Sequence, residues 1–318
     1  FSGFTNGGNC PSSSGNCSDF FVIKFSSDGT AIWTQQMGTN WHEIARGVTV
    51  DSSGNVYVTG TTEGNLDGNS NSGCGPFTCV PPGYTDLFLV KYNSSGTKQW
   101  TNQLGASGYH DSVGGISMDS SGNIYVAGGT GGDLDGNNNA KDCNFSCTTD
   151  LFVVKYYDNG TKHWTKQMGT LESERANGVA NDSSGNFYLT GNTYGGLDGN
   201  TNSGNSDIFL VKYYDNGTKQ WTKQLGTSSS DTGNEVTVDS SGNVYVTGYT
   251  QGGLDGTNAG NSDLFVVKYN SSGTKQWAKQ LGTSSNDYAT GVATDSSGNV
   301  YVTGNTSGEL DGNTNSGS

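Results

Sequence analysis

Short apolar runs separated by turns of Gly, Ser, Asn and Asp recur along the whole chain. One stretch shows the pattern in full. Residues 234–239 alternate Val236 and Val238 with polar neighbours, the period of a half-buried strand. The pentapeptide Asp-Ser-Ser-Gly-Asn follows, with a carboxylate to accept turn hydrogen bonds and a glycine for positive φ, and predicts a hairpin. A second strand is predicted over 244–249, and a long polar loop over 250–262. Residues 264–270 are apolar on both faces, Leu264 and Val266 on one and Phe265, Val267 and Tyr269 on the other, so this third strand needs cover on both sides. After the turn Asn270-Ser271-Ser272-Gly273, a fourth strand over 274–281 carries Trp277. No window has the 3.6-residue period of a long helix, and the chain reads as all-β.

The same text begins at Asp19, Asp86, Asp150, Asp207 and Asp263, and the pentapeptide is identical each time. Repetition at this spacing marks an array or a propeller. Four antiparallel strands apolar on both faces describe a propeller blade held between two neighbours. The recurring Trp33, Trp100, Trp164, Trp221 and Trp277 fit blade-to-blade packing with the indole N–H bonded; sugar stacking is the alternative. The segments GVTVDSSGNVYVTG (47–60) and DLFLVKYNSSGTKQW (86–100), with their copies, resemble the bacterial and archaeal β-propeller repeat called SBBP and, more distantly, NHL repeats. The resemblance implies a propeller over residues 19–318 and no single activity.

Strand counting favours five four-stranded blades. The chain opens on an outer strand pair and ends on an inner pair, so the fifth blade is expected to be a composite of the two that closes the termini. Six or seven blades would require a longer parent chain. Residues 1–18 look like the tail of a further copy, since the first eight align with VTGYTQGG (246–253), and a lone strand tail could add to an edge of another subunit. With no initiator Met, the chain is expected to be a processed product or part of a longer protein.

Only 31% of residues are hydrophobic and 14% charged, with 51 Gly, which suits a repeat built of short strands and many turns. The net charge of −14 argues against nucleic acid and anionic membranes as partners. No apolar run approaches the roughly 20 residues of a membrane helix. The cysteines fall in three local pairs in polar loops, and disulfides Cys10–Cys17, Cys74–Cys79 and Cys143–Cys147 are expected, with an oxidising, extracellular or cell-surface location.

The long loops place oxygen-bearing side chains at alternate positions, as calcium loops do. The candidate ligands are Asp67, Asn69, Asn71 and Asp86; Asp135, Asn137 and Asn139; Asp198, Asn200, Asn202 and Asp207; Asp255 and Asp263; and Asp311, Asn313 and Asn315. Asn stands where stronger loops carry acids and the bidentate Glu is missing, so calcium is expected to bind weakly, against the alternative of loops that bond their own backbone. Asn-x-Ser/Thr sequons at Asn93, Asn159, Asn216 and Asn270 lie in one exposed turn; others are at Asn16, Asn144, Asn181 and Asn305. No catalytic motif is present. Glu43, Asp111, Glu172 and Glu174, in loops that differ between copies, are where a carboxylate pair could form at the propeller mouth. No resident cofactor other than calcium is expected. The reading is a non-enzymatic, secreted or cell-surface structural or adhesive propeller that self-associates into a filament or surface layer. A carbohydrate- or protein-binding, lectin-like module is the alternative, and a polysaccharide-active enzyme the third.

Overall fold

A computed structural model describes residues 17–72, 84–140 and 148–315. In chain order the strands are β1 (Phe20–Phe25), β2 (Ala31–Met37), β3 (Glu43–Val50), β4 (Val56–Thr62), β5 (Asp86–Tyr92), β6 (Lys98–Leu104), β7 (Asp111–Met118), β8 (Ile124–Thr130), β9 (Asp150–Tyr156), β10 (Lys162–Met168), β11 (Glu174–Asn181), β12 (Phe187–Thr193), β13 (Asp207–Tyr213), β14 (Lys219–Leu225), β15 (Asp231–Val238), β16 (Val244–Thr250), β17 (Asp263–Tyr269), β18 (Lys275–Leu281), β19 (Asp287–Thr294) and β20 (Val300–Thr306). The only helical segments among the described residues are single 3₁₀ turns on the repeated Leu-Asp-Gly, at Leu66–Gly68, Leu197–Gly199 and Leu310–Gly312.

Four blades are complete: β3 to β6, β7 to β10, β11 to β14 and β15 to β18, each a four-stranded sheet in sequence order. The fold is a β-propeller of antiparallel four-stranded blades. The chain divides into two compact units, Phe1–Met118 with Gly122–Gln167, and Asp119–Ser121 with Met168–Ser318. The first holds β1–β2 and two complete blades; the second holds two complete blades and β19–β20.

The two strand pairs expected to make the composite fifth blade lie one in each unit. β1–β2 and β19–β20 are separate two-stranded sheets.

Two features shift strand limits from those read in sequence. The first strand starts earlier, at Asp231 rather than 234, because this acid is buried and bonded. That strand also carries a bulge in every copy, between Ala45 and Gly47, Val113 and Gly115, Ala176 and Gly178, Gly233 and Glu235, and Ala289 and Gly291. A bulge adds twist and ends strict alternation.

Within each unit the first strand of a blade packs over the preceding blade: β7 over β3, β4 and β5, β15 over β11, β12 and β13, and β19 over β15, β16 and β17. The resulting cores lie between sheets. Tyr57, Leu87, Leu89, Val113, Ile124 and Phe152 form one; Tyr188, Ile208, Leu210, Val236, Val246 and Phe265 form another. The third strands β5, β9 and β13 are buried on both faces, as their two apolar faces require, whereas β17, followed only by a half-blade, alternates buried and half-buried positions.

Candidate functional site

The long loops bond themselves. Asp67, Asp135, Asp198 and Asp311 adopt positive φ in the Leu-Asp-Gly turns, a conformation that Asp tolerates better than most residues. Three of these carboxylates pair with fourth-strand lysines, Asp67 with Lys98, Asp135 with Lys162 and Asp198 with Lys219, and Asp255 lies 3.5 Å from Lys279. Burial pushes Asp67 and Asp198 up, but hydrogen bonds from Lys98 and Thr101, and from Lys219 and Thr222, outweigh it and hold both below the usual range.

The loop asparagines act as donors. Nδ2 of Asn69, Asn137, Asn200 and Asn313 bonds the carbonyl of Leu66, Leu134, Leu197 and Leu310, while Asn71, Asn139 and Asn202 bond the carbonyls of Tyr84, Thr148 and Tyr194. Asp86 accepts from Ser72 N and Gln103 Nε2, Asp207 from Ser203 N and Gln224 Nε2, and Asp263 from Ala259 N and Gln280 Nε2. The sixteen candidate ligands are thus distributed along self-bonded loops, with Asn315 just beyond the turn that holds Asp311. Among the described residues no three His, Cys, Asp or Glu gather as metal ligands.

The acids expected at the mouth are structural at three positions. Glu43 accepts from Thr39 N, Thr39 Oγ1 and Thr62 Oγ1, each at 2.7 Å; Glu174 does the same with Thr170 and Thr193; Asp111 takes Ala106 N. All three are buried, while Glu172 is exposed in the preceding turn. Sequence reading missed the partner of each acid. Gly105 lies against both Asp86 and Asp111, and Gly38 against both the half-buried Asp19 and the buried Glu43, so two carboxylates meet across a glycine at each of these junctions. Oδ1 of Asp86 and Oδ1 of Asp111 have no hydrogen-bond partner. Burial first, and the Asp86 charge after it, push Asp111 up to about 7. Glu235 is the one non-glycine at the bulge position of the five first strands, and burial against Gly178 pushes it to about 7 as well.

Of the sequon asparagines, Asn159 and Asn216 are exposed and Asn93 and Asn270 half-buried, and Oδ1 of all four accepts a backbone N–H of its own turn. Asn305 is exposed on β20 and Asn181 half-buried at the end of β11. Asn16 and Asn144 lie outside the described residues, as do Cys10, Cys74, Cys79, Cys143 and Cys147; Cys17 is disulfide-bonded.

The feature that no motif announced is an apolar groove of about 750 Å³ over β1, β3 and β4, lined by Phe21, Phe25, Trp33, Arg46, Val48 and Val50 among others. Val48 is 59% exposed, whereas Val236, its counterpart in β15, is 3% exposed beneath the preceding blade. Beside the groove, a cross-strand row found in every complete blade is broken. A second-strand Tyr faces a third-strand Lys, which faces a fourth-strand Trp: Tyr57–Lys91–Trp100, Tyr188–Lys212–Trp221 and Tyr245–Lys268–Trp277. The ammonium stands 5.0–5.1 Å from the Tyr centroid in each blade, including Lys155 over Tyr125. In β1–β2, Lys24 faces Trp33, and among the described residues no Tyr completes the row. In β19–β20, Tyr301 holds the Tyr position with neither Lys nor Trp beside it, and is 57% exposed.

Trp33, Trp100 and Trp221 pack from blade to blade as expected, although half-buried. The indoles of Trp33, Trp100 and Trp221 rest on Gly96, Gly160 and Gly273 of the next blade's turn. Trp33 Nε1 donates to Ser94 O, but Trp100 Nε1 has no partner: Asn102 takes the nearby Gly160 carbonyl, and Lys91 the Asp158 carbonyl.

Residues 32–67, 99–135, 220–255 and 276–311 each match the family model of the SBBP beta-propeller repeat. Four segments of the chain thus carry the SBBP β-propeller repeat. Two curated proteins are similar: an uncharacterized WD repeat-containing protein of Acanthamoeba polyphaga mimivirus, 24% identical over 90% of this chain, and the regulatory protein FlaEY of Caulobacter vibrioides, 29% identical over 69% of it. The matches span 26% and 24% of those proteins, so the SBBP chain corresponds to about a quarter of either. Solved propellers resemble it at low identity. A gluconolactonase of Xanthomonas campestris gives a TM-score of 0.44 at 13% identity, covering 89% of this chain and 75% of that one, and NanB sialidase of Streptococcus pneumoniae 0.44 at 11%, covering 91% and 39%. Among the described residues of the SBBP chain, no helix is long and apolar enough to cross a membrane.

Proposed function

We propose that this SBBP chain is a structural or adhesive propeller of the cell surface or extracellular space, a building block of a filament or surface layer. The observation that carries the reading is the exposed apolar groove over β1, β3 and β4, in a chain whose repeated acids and loop side chains are otherwise engaged in holding blades and turns. Exposed apolar surface rimmed by polar residues is characteristic of sites that meet other proteins, and an unpaired strand edge is a template for another strand. The acidic, sparsely charged surface fits a soluble building block and disfavours nucleic acid. Electron microscopy of native material tests the reading: filaments or sheets are expected, and a field of single particles overturns it.

A carbohydrate-binding role is the second reading. It rests on exposed tyrosines at the blade rims, Tyr157, Tyr194 and Tyr214, of which Tyr157 stacks on His163 at 4.8 Å. A glycan array tests it, with loss of signal expected in Tyr194→Ala if sugars stack there.

A further inference from the structure

The fourth strands end on Met37, Leu104, Met168, Leu225 and Leu281. Leucine fills the position in three copies, so packing alone does not call for sulfur there. What sets the two methionines apart is the company of the thioether. Tyr92, at the end of β5, donates its phenol O–H to Met37 Sδ at 3.8 Å, and Tyr213, at the end of β13, donates to Met168 Sδ at 3.8 Å. Lys219, the first residue of β14, brings its ammonium to Met168 Sδ at 3.6 Å while it pairs with Asp198. Each contact lies within one compact unit: Met37 and Tyr92 in the first, Met168, Asp198, Tyr213 and Lys219 in the second. Met118, the third methionine of the chain, packs instead against the apolar core that holds Ile124 and Phe152.

We propose that Met168 and Met37 are sites of oxidation by peroxides, at which the fold is already arranged to hold the sulfoxide. The inference goes beyond the assembly reading and does not rest on it.

Both phenols are buried, Tyr213 with its ring stacked on Phe187 at 4.9 Å. Burial, and after it the charges of Asp67 and Asp198, push Tyr92 and Tyr213 up, so both remain hydroxyl donors. A thioether sulfur is a weak acceptor, and a buried O–H that ends on one is poorly satisfied. A sulfoxide oxygen is a strong acceptor. Carried by the sulfur, it stands between that atom and the phenol, at the roughly 2.5–3.0 Å of an O–H···O bond. Oxidation of a methionine commonly disrupts a core because it sets a polar oxygen among apolar atoms. Here the donor is in place before the oxygen arrives, and the same arrangement occurs once in each unit. Met37 and Met168 are half-buried, so a small peroxide reaches them in the folded chain.

The reaction balances with hydrogen peroxide as the oxidant. The sulfur lone pair forms the S–O bond and the O–O bond breaks. Sulfur is oxidised from thioether to sulfoxide, and the peroxide is reduced to water. The departing hydroxide takes up one proton, and the transferred oxygen releases one. At Met168 the Lys219 ammonium gives the first proton and recovers the second.

The experiment treats the folded chain with dilute hydrogen peroxide and follows each methionine by peptide mass spectrometry. Sulfoxide is expected at Met168 and Met37 before Met118; Met118 oxidised ahead of either overturns the proposal. Lys219→Gln should slow oxidation at Met168 by at least about threefold, a fraction of what a placed acid can supply, with Met37 as the unchanged reference. An unchanged ratio of the two rates overturns the proposal at Met168. Stability supplies a second readout, in a chain carrying Met118→Val, since valine stands at the same place as Val50 and Val238. Full oxidation should leave its unfolding temperature unchanged or higher. With Tyr92→Phe and Tyr213→Phe added, which keep both rings, the same oxidation should lower that temperature by several degrees. A fall with the phenols in place, or equal tolerance without them, overturns the proposal.

Discussion

Gly273 sits on the indole of Trp221. A Cβ added at Gly273 would lie 3.0 Å from Trp221 Cε2, and Gly273 itself has φ +78. The turn of one blade is thereby seated on the outer strand of the blade before it, within the second compact unit. Gly273→Ala would add left-handed strain and push against a flat ring. It is expected to lower unfolding free energy by about 1–3 kcal/mol. Trp221→Ala should cost about 3–5 kcal/mol by leaving a cavity in the same place. Urea titration of both, with the double variant, measures the coupling: a combined loss smaller than the sum of the single losses is expected for residues in contact.

The paired acids predict a pH dependence with a definite sign. Burial and the Asp86 charge push Asp111 up to about 7, above its unfolded value near 3.8. The folded chain therefore holds a proton that the unfolded chain releases between those values, so this contribution to stability is present at low pH and is lost as pH rises toward 7. A shift of that size is worth at most about 4 kcal/mol. Asp111→Asn should flatten the difference in denaturant midpoint between pH 5 and pH 8. An unchanged difference would count against a protonated pair.

Glu235 makes the same point at a lone position. It occupies the bulge where the other four copies carry Gly, and burial pushes it to about 7. Glu235→Gln should stabilise the chain at pH 8 and leave it little changed at pH 5, as read by thermal unfolding at the two pH values.

The turn acid Asp239 runs the other way. It accepts from Ser241 N, Asn243 N, Asn243 Nδ2 and Tyr245 Oη at 2.8–3.0 Å. Burial alone would raise it, but the bonds from Asn243, Tyr245 and Ser241 prevail and hold it low. Its contribution is present above the unfolded value near 3.8 and is lost as pH falls through the lower folded one. Asp239→Ala should cost about 1–3 kcal/mol at neutral pH, since three backbone or amide donors and a phenol lose their acceptor.

Chelator should leave the melting temperature unchanged. The loop carboxylates are already engaged by lysines, as Asp198 is by Lys219, and the loop amides turn their donor ends to carbonyls. A rise of several degrees with added calcium would show that a cation displaces those lysines.

The blades were legible because each strand carries its own apolar period and its own turn. Phe265 and Val267 could only belong to a strand covered on both sides, and they do. The loops were harder to read. Asn200 in a sequence offers an oxygen and an amide equally; which end meets the backbone depends on the Leu197 carbonyl, whose position follows from Asp198 taking positive φ. The acid pairs were missed because Asp86 and Asp111 are twenty-five positions apart and meet only when two blades stack. A sharper reader had one signal, the glycine that follows each fourth strand, as Gly105 and Gly226 do.

The sequence repeat and the blade are out of phase, and this bears on how such chains lengthen. One repeat supplies the third and fourth strands of a blade and the first two of the next. Duplicating a repeat in the gene therefore never inserts a free-standing sheet. Each new copy arrives shared between two sheets, with a loop already threading it to the sheet on either side. Slippage during replication can lengthen or shorten the molecule by whole units while the two end surfaces keep the same text.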